Sequence, residues 1–254
     1  MIDIHTHIIP GIDDGAQDME ETVQMAQAAV EEGIHTLIAT PHHANGKYDN
    51  PWTQVEHAVH EVNEVLRGRG IPLTVVPGQE IRVYNNLLED LHSHMAGTLH
   101  SSKYILIEFP TREIPKKTEA LFHELRVMGL VPVIAHPERN MELASDPSKL
   151  QHLIQQGALA QITSHSINGL FGKKIQKLSF ELCEHRMVHF VASDAHNIEN
   201  RAFGLRQAYS MLAQKFGDDL VHGYKENAVK LISHEDINVS QPAWKTKTWW
   251  KFWG

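Results

Sequence analysis

Close to the N-terminus, Asp3-Ile4-His5-Thr6-His7 sets two imidazoles two residues apart. Ile2 and Ile4 alternate with Asp3 and His5, the period-two pattern of a strand. His5 and His7 then point to one face of that strand. Two imidazoles converging at a strand end are half of a metal site. The loop Pro10-Gly11-Ile12-Asp13-Asp14-Gly15 follows, rich in turn residues, with two carboxylates that can reach back to the same place. The arrangement recurs along the chain. Seven apolar segments end in polar groups: His5 and His7, His42, Glu80, Glu108, His136, His165, and Asp194 with His196, while Asp14 lies in the first loop. One such pair is an ordinary surface feature, and a lone glutamate at a strand end is usually solvated. Random placement would scatter these residues over helix surfaces as often as at strand ends, so their joint position points to a metal centre.

Imidazole and carboxylate ligands without cysteine suit Mn²⁺, Fe²⁺, Zn²⁺ or Co²⁺ and not a structural zinc knot. The nine candidates His5, His7, Asp14, His42, Glu80, Glu108, His136, Asp194 and His196 exceed what one ion can use. Two or three ions are implied, with a carboxylate such as Glu80 shared between neighbours. Clustered cations lower the pKa of a bridging water and stabilise the attacking and leaving oxygens of phosphoryl transfer. Arg139 follows His136 by three residues and Arg201 follows His196 by five, and each offers a planar fork that grips phosphate.

The elements that must position these groups alternate between short apolar strands and amphipathic helices. After the opening strand, 18–32 reads as a helix capped by Asp18 and stopped by Gly33. Strands are expected at 34–40, 72–80, 104–109, 130–135, 158–163 and 187–192, and helices at 51–68, 116–128, 147–156, 173–185, 201–216 and 218–231, with a short one at 85–91. Such alternation specifies parallel strands joined by helical crossovers. No glycine-rich dinucleotide turn follows the first strand, which favours an α/β fold of the distorted seven-stranded β/α-barrel type over an open nucleotide-binding sheet. In such barrels the working residues sit at the C-terminal ends of strands, where every candidate here falls.

Composition narrows the classes further. With 254 residues, 42% of them apolar, the chain can bury one substantial core. There is no long apolar run for a membrane span and no signal peptide ahead of the first strand, so a cytoplasmic location is expected. The single cysteine, Cys183, rules out an intrachain disulfide. It sits in an apolar helical segment without the Cys-x5-Arg loop of cysteine phosphatases: six residues on stands His189. A net charge of −8 argues against a nucleic-acid surface. The count of 19 histidines is the anomaly that the metal reading absorbs in part.

Taken together, His5-Thr6-His7, Thr40-Pro41-His42-His43, Glu80, Ala135-His136-Pro137-Glu138-Arg139 and Ser193-Asp194-Ala195-His196 resemble the PHP (polymerase and histidinol phosphatase) metal-dependent phosphoesterases. The strings 3–15 and 136–140 look closest to the bacterial PHP-type protein-tyrosine phosphatases, which act on the autophosphorylated kinases of capsule and exopolysaccharide synthesis. The resemblance runs from Met1 to about Ile232. It implies a trinuclear, usually manganese-dependent centre. His5, His7, Glu80 and Asp194 would hold one ion. Glu80, Glu108 and His136 would hold a second, and Asp14, His42 and His196 a third. It also implies that Arg139 and Arg201 neutralise the phosphoryl oxygens, and that a metal-bridging hydroxide attacks phosphorus in line without a phospho-enzyme. Tyrosinate is a fair leaving group, because a phenol has a pKa near 10. Asp194, His7 or a metal-bound water are the candidates to protonate it. The implied partners are phosphotyrosine proteins, above all a membrane-associated tyrosine kinase.

The rival readings are a small-molecule phosphatase of the histidinol-phosphatase type, a DNA-processing exonuclease, metal-dependent C–N hydrolysis, and a non-catalytic metal-stabilised binding module. The acidic charge weakens the exonuclease, and no bridging lysine stands at a strand end for C–N hydrolysis. The domain is expected to span 1–240. The remainder, 241–254, holds four of the five tryptophans among lysines, a composition that favours a membrane interface.

Overall fold

In a computed structural model, the structure describes residues 1–238 together with Pro242 and Trp244. Apart from these last two, the Trp/Lys-rich tail read at 241–254 lies outside the described residues.

Nine strands are present among the described residues: β1 (Ile2–Thr6), β2 (Thr36–Ala39), β3 (His42–His43), β4 (Thr74–Pro77), β5 (Glu80–Arg82), β6 (Tyr104–Glu108), β7 (Val131–Ala135), β8 (Leu159–Thr163) and β9 (Phe190–Ala192). All pair in parallel, in two sheets of order β1-β2-β4 and β3-β5-β6-β7-β8-β9. The fold is therefore α/β with parallel sheets, as the alternation predicts. A single continuous barrel ladder is not what the strands form. The expected strand at 72–80 is broken at Gly78-Gln79, and the one at 34–40 stops at Ala39, with β3 following beyond its expected end after Thr40-Pro41. Proline removes a ladder donor, and Gly78 lies where a Cβ would come within 2.6 Å of Ile38 Cγ2. An isolated parallel bridge, Thr6 to Ala195, brings the ends of β1 and β9 together. Its hydrogen bonds run from Asp194 N to His5 O and from His7 N to Ala195 O, both 2.9 Å.

The helices follow from capping and periodicity. Asp18 caps Met19–Glu31 by accepting from Glu21 N at 2.9 Å. In Trp52–Gly68 the buried face is Trp52, Val55, Val59, Val62 and Leu66, one stripe at helical spacing. Two expectations shift. Ser164-His165-Ser166, to which the sequence pattern assigns no element beyond the strand end, opens a helix, Ser164–Asn168, where the Thr163 side chain accepts from Ser166 N. The helix expected from Arg201 begins at Leu205, which leaves Arg201 in the preceding loop.

Strand alternation separates two cores. Ile105 and Ile107 of β6 face the larger one, under the helices, whereas Tyr104 and Leu106 join Val133, Ala135, Leu159, Phe190 and Ala192 in the smaller one. Glu108 continues the Tyr104–Leu106 face, and Gln161 continues the face of Leu159. The smaller core is thus apolar below and polar above, and the polar residues stand at the C-terminal strand ends.

Candidate metal centre

His5 and His7 are fully buried, and each is held through Nδ1 so that Nε2 faces inward. His5 Nδ1 lies 2.9 Å from Gln161 Oε1, and His7 Nδ1 lies 2.6 Å from Asp13 Oδ2. Their Nε2 atoms are 3.4 Å apart. Between them and their neighbours sits Glu80, with Oε2 at 3.3 Å from His5 Nε2, 3.4 Å from His7 Nε2 and 3.0 Å from His42 Nδ1. Glu80 reaches this point because β5 pairs with β3 with Glu80 directly opposite His42. Asp194 Oδ1 approaches His5 and His7 from the other side at 3.3 and 3.4 Å. Asp14, in the loop after β1, lies 3.4 Å from His42 Nε2 and 3.5 Å from His196 Nε2.

Among the described residues, three groups have ligand atoms all within 4.8 Å of one another: His7, Asp14, His42 and His196; His5, His7, Glu80 and Asp194; and His42, Glu80 and Glu108. His136 joins none of the three; its Nε2 lies 2.6 Å from Glu80 Oε1. The grouping implied by resemblance pairs His136 with Glu80 and Glu108, whereas here His42 occupies that place. His136 follows Ala135, so simple alternation would turn it away from the interior. A left-handed backbone, φ 33, redirects it; Asp194, which continues the face of Ala192, is also left-handed at φ 58. His165 points elsewhere, bonding Ala202 O with Nε2.

The donor set fits divalent cations. Glu80 Oε2, His42 Nδ1 and His196 Nε2 are buried without a hydrogen-bond partner, an unfavourable state that a shared cation relieves. Burial pushes His136 and His196 down to about 4, so both imidazoles are neutral and able to donate a lone pair. For Glu80, burial would raise the carboxyl, but His5, His42 and His136 outweigh it and hold it well below the usual range.

The two arginines meet on the outer side of Asp194. Arg139 Nη1 and Arg201 Nη2 both donate to Oδ2, at 2.7 and 2.8 Å. Burial favours the neutral acid at Asp194, yet Arg139, His5 and Arg201 keep it ionised well below the ordinary carboxylate range. One carboxylate therefore faces the histidines with one oxygen and the guanidinium pair with the other. A cavity of about 330 Å³ opens beside them, lined by Glu108, Thr111, His136, Arg139, Phe171 and Arg201 among others.

Three further residues support the site without having been singled out from the sequence. Gln161 orients His5, and Arg82 binds Glu108 Oε2 at 2.7 Å. Glu138, fully buried, accepts from Thr163 N at 3.0 Å and Ser166 Oγ at 2.7 Å, tying the segment that carries Arg139 to the end of β8. A polar residue inside an apolar strand was the signal for Gln161. For Glu138 the signal was its place between His136 and Arg139. Cys183 is buried and its thiol is pushed up to about 12 by burial, far from nucleophile chemistry.

Comparison with known proteins agrees with this geometry. The chain is 48% identical over 237 residues to tyrosine-protein phosphatase YwqE of Bacillus subtilis strain 168, covering 93% of each. It is 32% identical over 222 residues to tyrosine-protein phosphatase CpsB of Streptococcus pneumoniae, covering 85% of this chain and 91% of that protein. A structure solved in work on YwqE from Bacillus subtilis and CpsB from Streptococcus pneumoniae, described there as unique metal-dependent tyrosine phosphatases, matches with a TM-score of 0.95 and 46% identity over 97% of this chain and 100% of that one. The family model for capsular polysaccharide synthesis, CpsB/CapC, covers residues 1–233, and the chain belongs to the CpsB/CapC family.

Proposed function

We propose that this protein is a metal-dependent phosphotyrosine phosphatase of capsule or exopolysaccharide synthesis. The observation that carries the reading is the convergence of Arg139 and Arg201 on Asp194 Oδ2, at the border of three overlapping ligand groups. Two guanidinium forks beside a cation cluster suit a dianionic phosphoryl group. His5, His7, Asp14, His42, Glu80, Glu108, His136, Asp194 and His196 would hold two or three ions, Mn²⁺ by preference, with Fe²⁺, Zn²⁺ or Co²⁺ as substitutes. Bound there, such ions supply Lewis acidity toward the phosphoryl oxygens and activate water.

The chain's own contribution is positioning. Arg139 and Arg201 neutralise and orient the phosphoryl oxygens. Gln161 and Asp13 fix the tautomers of His5 and His7, leaving both Nε2 atoms for metal. Asp194, held ionised by its two arginines, acts as ligand and orienter. Water attacks phosphorus directly, and no side chain becomes phosphorylated. Tyrosinate leaves without needing a strong acid, since a phenol has a pKa near 10. We read the two sheets as one distorted β/α barrel closed at the Thr6–Ala195 bridge, formed by a single domain over 1–240.

The partners are phosphotyrosine proteins, foremost a membrane-associated tyrosine kinase, and the site of action is the cytoplasm. No helix among the described residues is long and apolar enough to cross a membrane. The Trp/Lys-rich tail, 241–254, is proposed as a peripheral contact with anionic lipid. If a chain ending at Ser240 bound acidic liposomes as well as the full chain, that contact would be excluded.

The deciding experiment compares hydrolysis of a phosphotyrosine peptide, a phosphoserine peptide and histidinol phosphate after chelation, with and without restored Mn²⁺. Manganese-dependent turnover selective for the phosphotyrosine peptide supports the proposal. Preference for histidinol phosphate would overturn the substrate class.

A further inference from the structure

We propose that Phe171 is the aryl-recognition residue of this site, the surface against which the ring of an aryl phosphate packs once its phosphoryl group is held by Arg139 and Arg201. The proposal rests on the phosphatase reading above and names what selects its substrate. The ring of Phe171 lies 5.3 Å from the Arg139 guanidinium carbon and lines the cavity that Arg139, Arg201, Glu108 and His136 share. In an aryl phosphate the ring begins one oxygen away from phosphorus. A ring whose phosphoryl group is gripped by Arg139 therefore falls in the cavity that Arg139 shares with Phe171, the aromatic ring its guanidinium lies over.

The backbone presents this ring deliberately. Phe171 and Leu170 are bracketed by Gly169 and Gly172, at φ 86 and φ 90, values that a side chain would oppose. Gly172 N donates to Gly169 O at 3.0 Å and Leu170 N to His165 O at 2.9 Å, so the segment is a closed turn at the end of Ser164–Asn168. The His165 ring meets Phe171 edge-on, centroids 6.0 Å apart at 78°, and His165 is itself anchored to Ala202 O. Phe171 is thus a partly exposed aromatic side chain that lines the cavity, with the Arg139 guanidinium over its ring and the His165 ring against it.

Depth makes the same surface selective. The proposed metal ligands beside the two arginines are buried: Asp194 is 1% exposed and Glu108, which lines the cavity, 9%. A phosphotyrosyl side chain places its ring between the phosphoryl group and the peptide, which holds the peptide farther from the buried ligands. A phosphoseryl group has one methylene, so it would draw peptide amides into the cavity away from water, at a cost if they stay unpaired. It also offers no ring for Phe171.

The test uses the full-length, Mn²⁺-loaded protein and two non-hydrolysable probes, phenylphosphonate and methylphosphonate, with binding read by calorimetry. The wild type is expected to prefer phenylphosphonate. F171A should lose about tenfold in phenylphosphonate affinity, the scale of a lost aromatic pair and its buried area. Methylphosphonate affinity should stay unchanged, and F171Y should keep the preference. Equal binding of the two probes by wild type would overturn the proposal. So would equal weakening of both in F171A, since Phe171 would then be acting only through Arg139. Intact phenyl preference in a protein that hydrolyses no phosphotyrosine peptide would support the aryl site while overturning the phosphatase reading.

Discussion

His7 and Asp13 are joined by a 2.6 Å hydrogen bond between the imidazole Nδ1 and the carboxylate Oδ2. The bond fixes which nitrogen of His7 turns toward the ligand cluster. The same Oδ2 accepts from His42 N at 3.1 Å, and the other oxygen of Asp13 accepts from Gly15 N at 2.9 Å. Asp13 therefore holds together a histidine of the first strand, the start of β3 and its own loop. Its neighbour Asp14 turns the other way, toward His42 and His196.

Replacing Asp13 by alanine should weaken metal binding without removing a ligand. Outer-shell partners of this kind typically contribute 10–100-fold in affinity. We expect a loss of about that size when the chelated D13A protein is titrated with Mn²⁺ by calorimetry. D14A, by contrast, removes a proposed ligand and should lower the number of ions bound. Unchanged Mn²⁺ affinity in D13A would show that His7 needs no help to keep its orientation.

Arg139→Ala and Arg201→Ala should each lower kcat/KM for a phosphotyrosine peptide by about 100-fold or more, the scale of one lost charge-stabilising donor. Metal content should stay at the wild-type level. Because both donate to one oxygen of Asp194, their effects should not add, and the double variant should lose less than the product of the singles. Lysine should rescue neither, since it lacks the planar fork. Full activity in R201A would remove that arginine from the phosphoryl site and favour a binding role for the cluster.

Much of this centre was legible because parallel α/β folds gather the C-terminal ends of strands in one place, so residues distant in sequence such as His5, Glu80 and Asp194 meet there. The type and rough extent of most elements followed from helical periodicity, caps and glycine stops. What stayed hidden is what depends on backbone conformation between elements. Adjacent acids, Asp13 and Asp14, are indistinguishable in sequence; the loop turns one toward Nδ1 of His7 and the other toward His42 and His196. The left-handed conformation of His136 reverses its side chain, and no periodicity announces it. Arg201 looked helical by continuity with Leu205–Phe216. Instead it closes a loop, accepting from His196 N at 2.8 Å and donating to Asn197 Oδ1 at 3.0 Å.

His189 provides a pH signature outside the metal cluster. It is buried beside β8, where Nδ1 accepts from Ala160 N at 3.1 Å, and burial pushes it down to about 4. Below pH 6.5 the unfolded chain takes up a proton there that the native chain refuses. Stability therefore falls as pH drops from 6.5 to 4, by on the order of 3 kcal/mol in total for a gap of about 2.5 pKa units, and levels off below. Asp3, pushed up to about 6 by burial, acts in the opposite sense: its contribution is present at low pH and is lost as pH rises from 3.8 to 6. The two partly offset in the wild type, so the comparison needs a variant. H189N keeps an acceptor for Ala160 N and cannot titrate. Urea unfolding at pH 4.5 and 7.5 should show H189N losing less stability on acidification than wild type, by about 2 kcal/mol. An identical loss in both would mean that His189 is not held neutral.

The close approach of the first loop to β1 yields the most local prediction. Ala16 N donates to His7 O at 3.1 Å and Gly11 N to Ala16 O at 2.7 Å, which presses Gly15 against the backbone of His7. A Cβ at residue 15 would lie 1.9 Å from His7 O and 2.5 Å from His7 Cβ, neither of which is a flexible side-chain end. Gly15→Ala must therefore push the loop outward, and Asp13 and Asp14 move with it. The expected result is a combined loss: at least 1–3 kcal/mol of stability, as for other overpacked sites, and weaker Mn²⁺ binding than in D13A, because both carboxylates retreat together. Gly68→Ala is the control. Nothing lies within 4 Å of its Cβ at the end of Trp52–Gly68, and alanine there should be neutral or stabilising by about 0.5–1 kcal/mol. Wild-type metal affinity in G15A would show that the loop can relax without disturbing His7, and that the contact limits packing and not ligand placement.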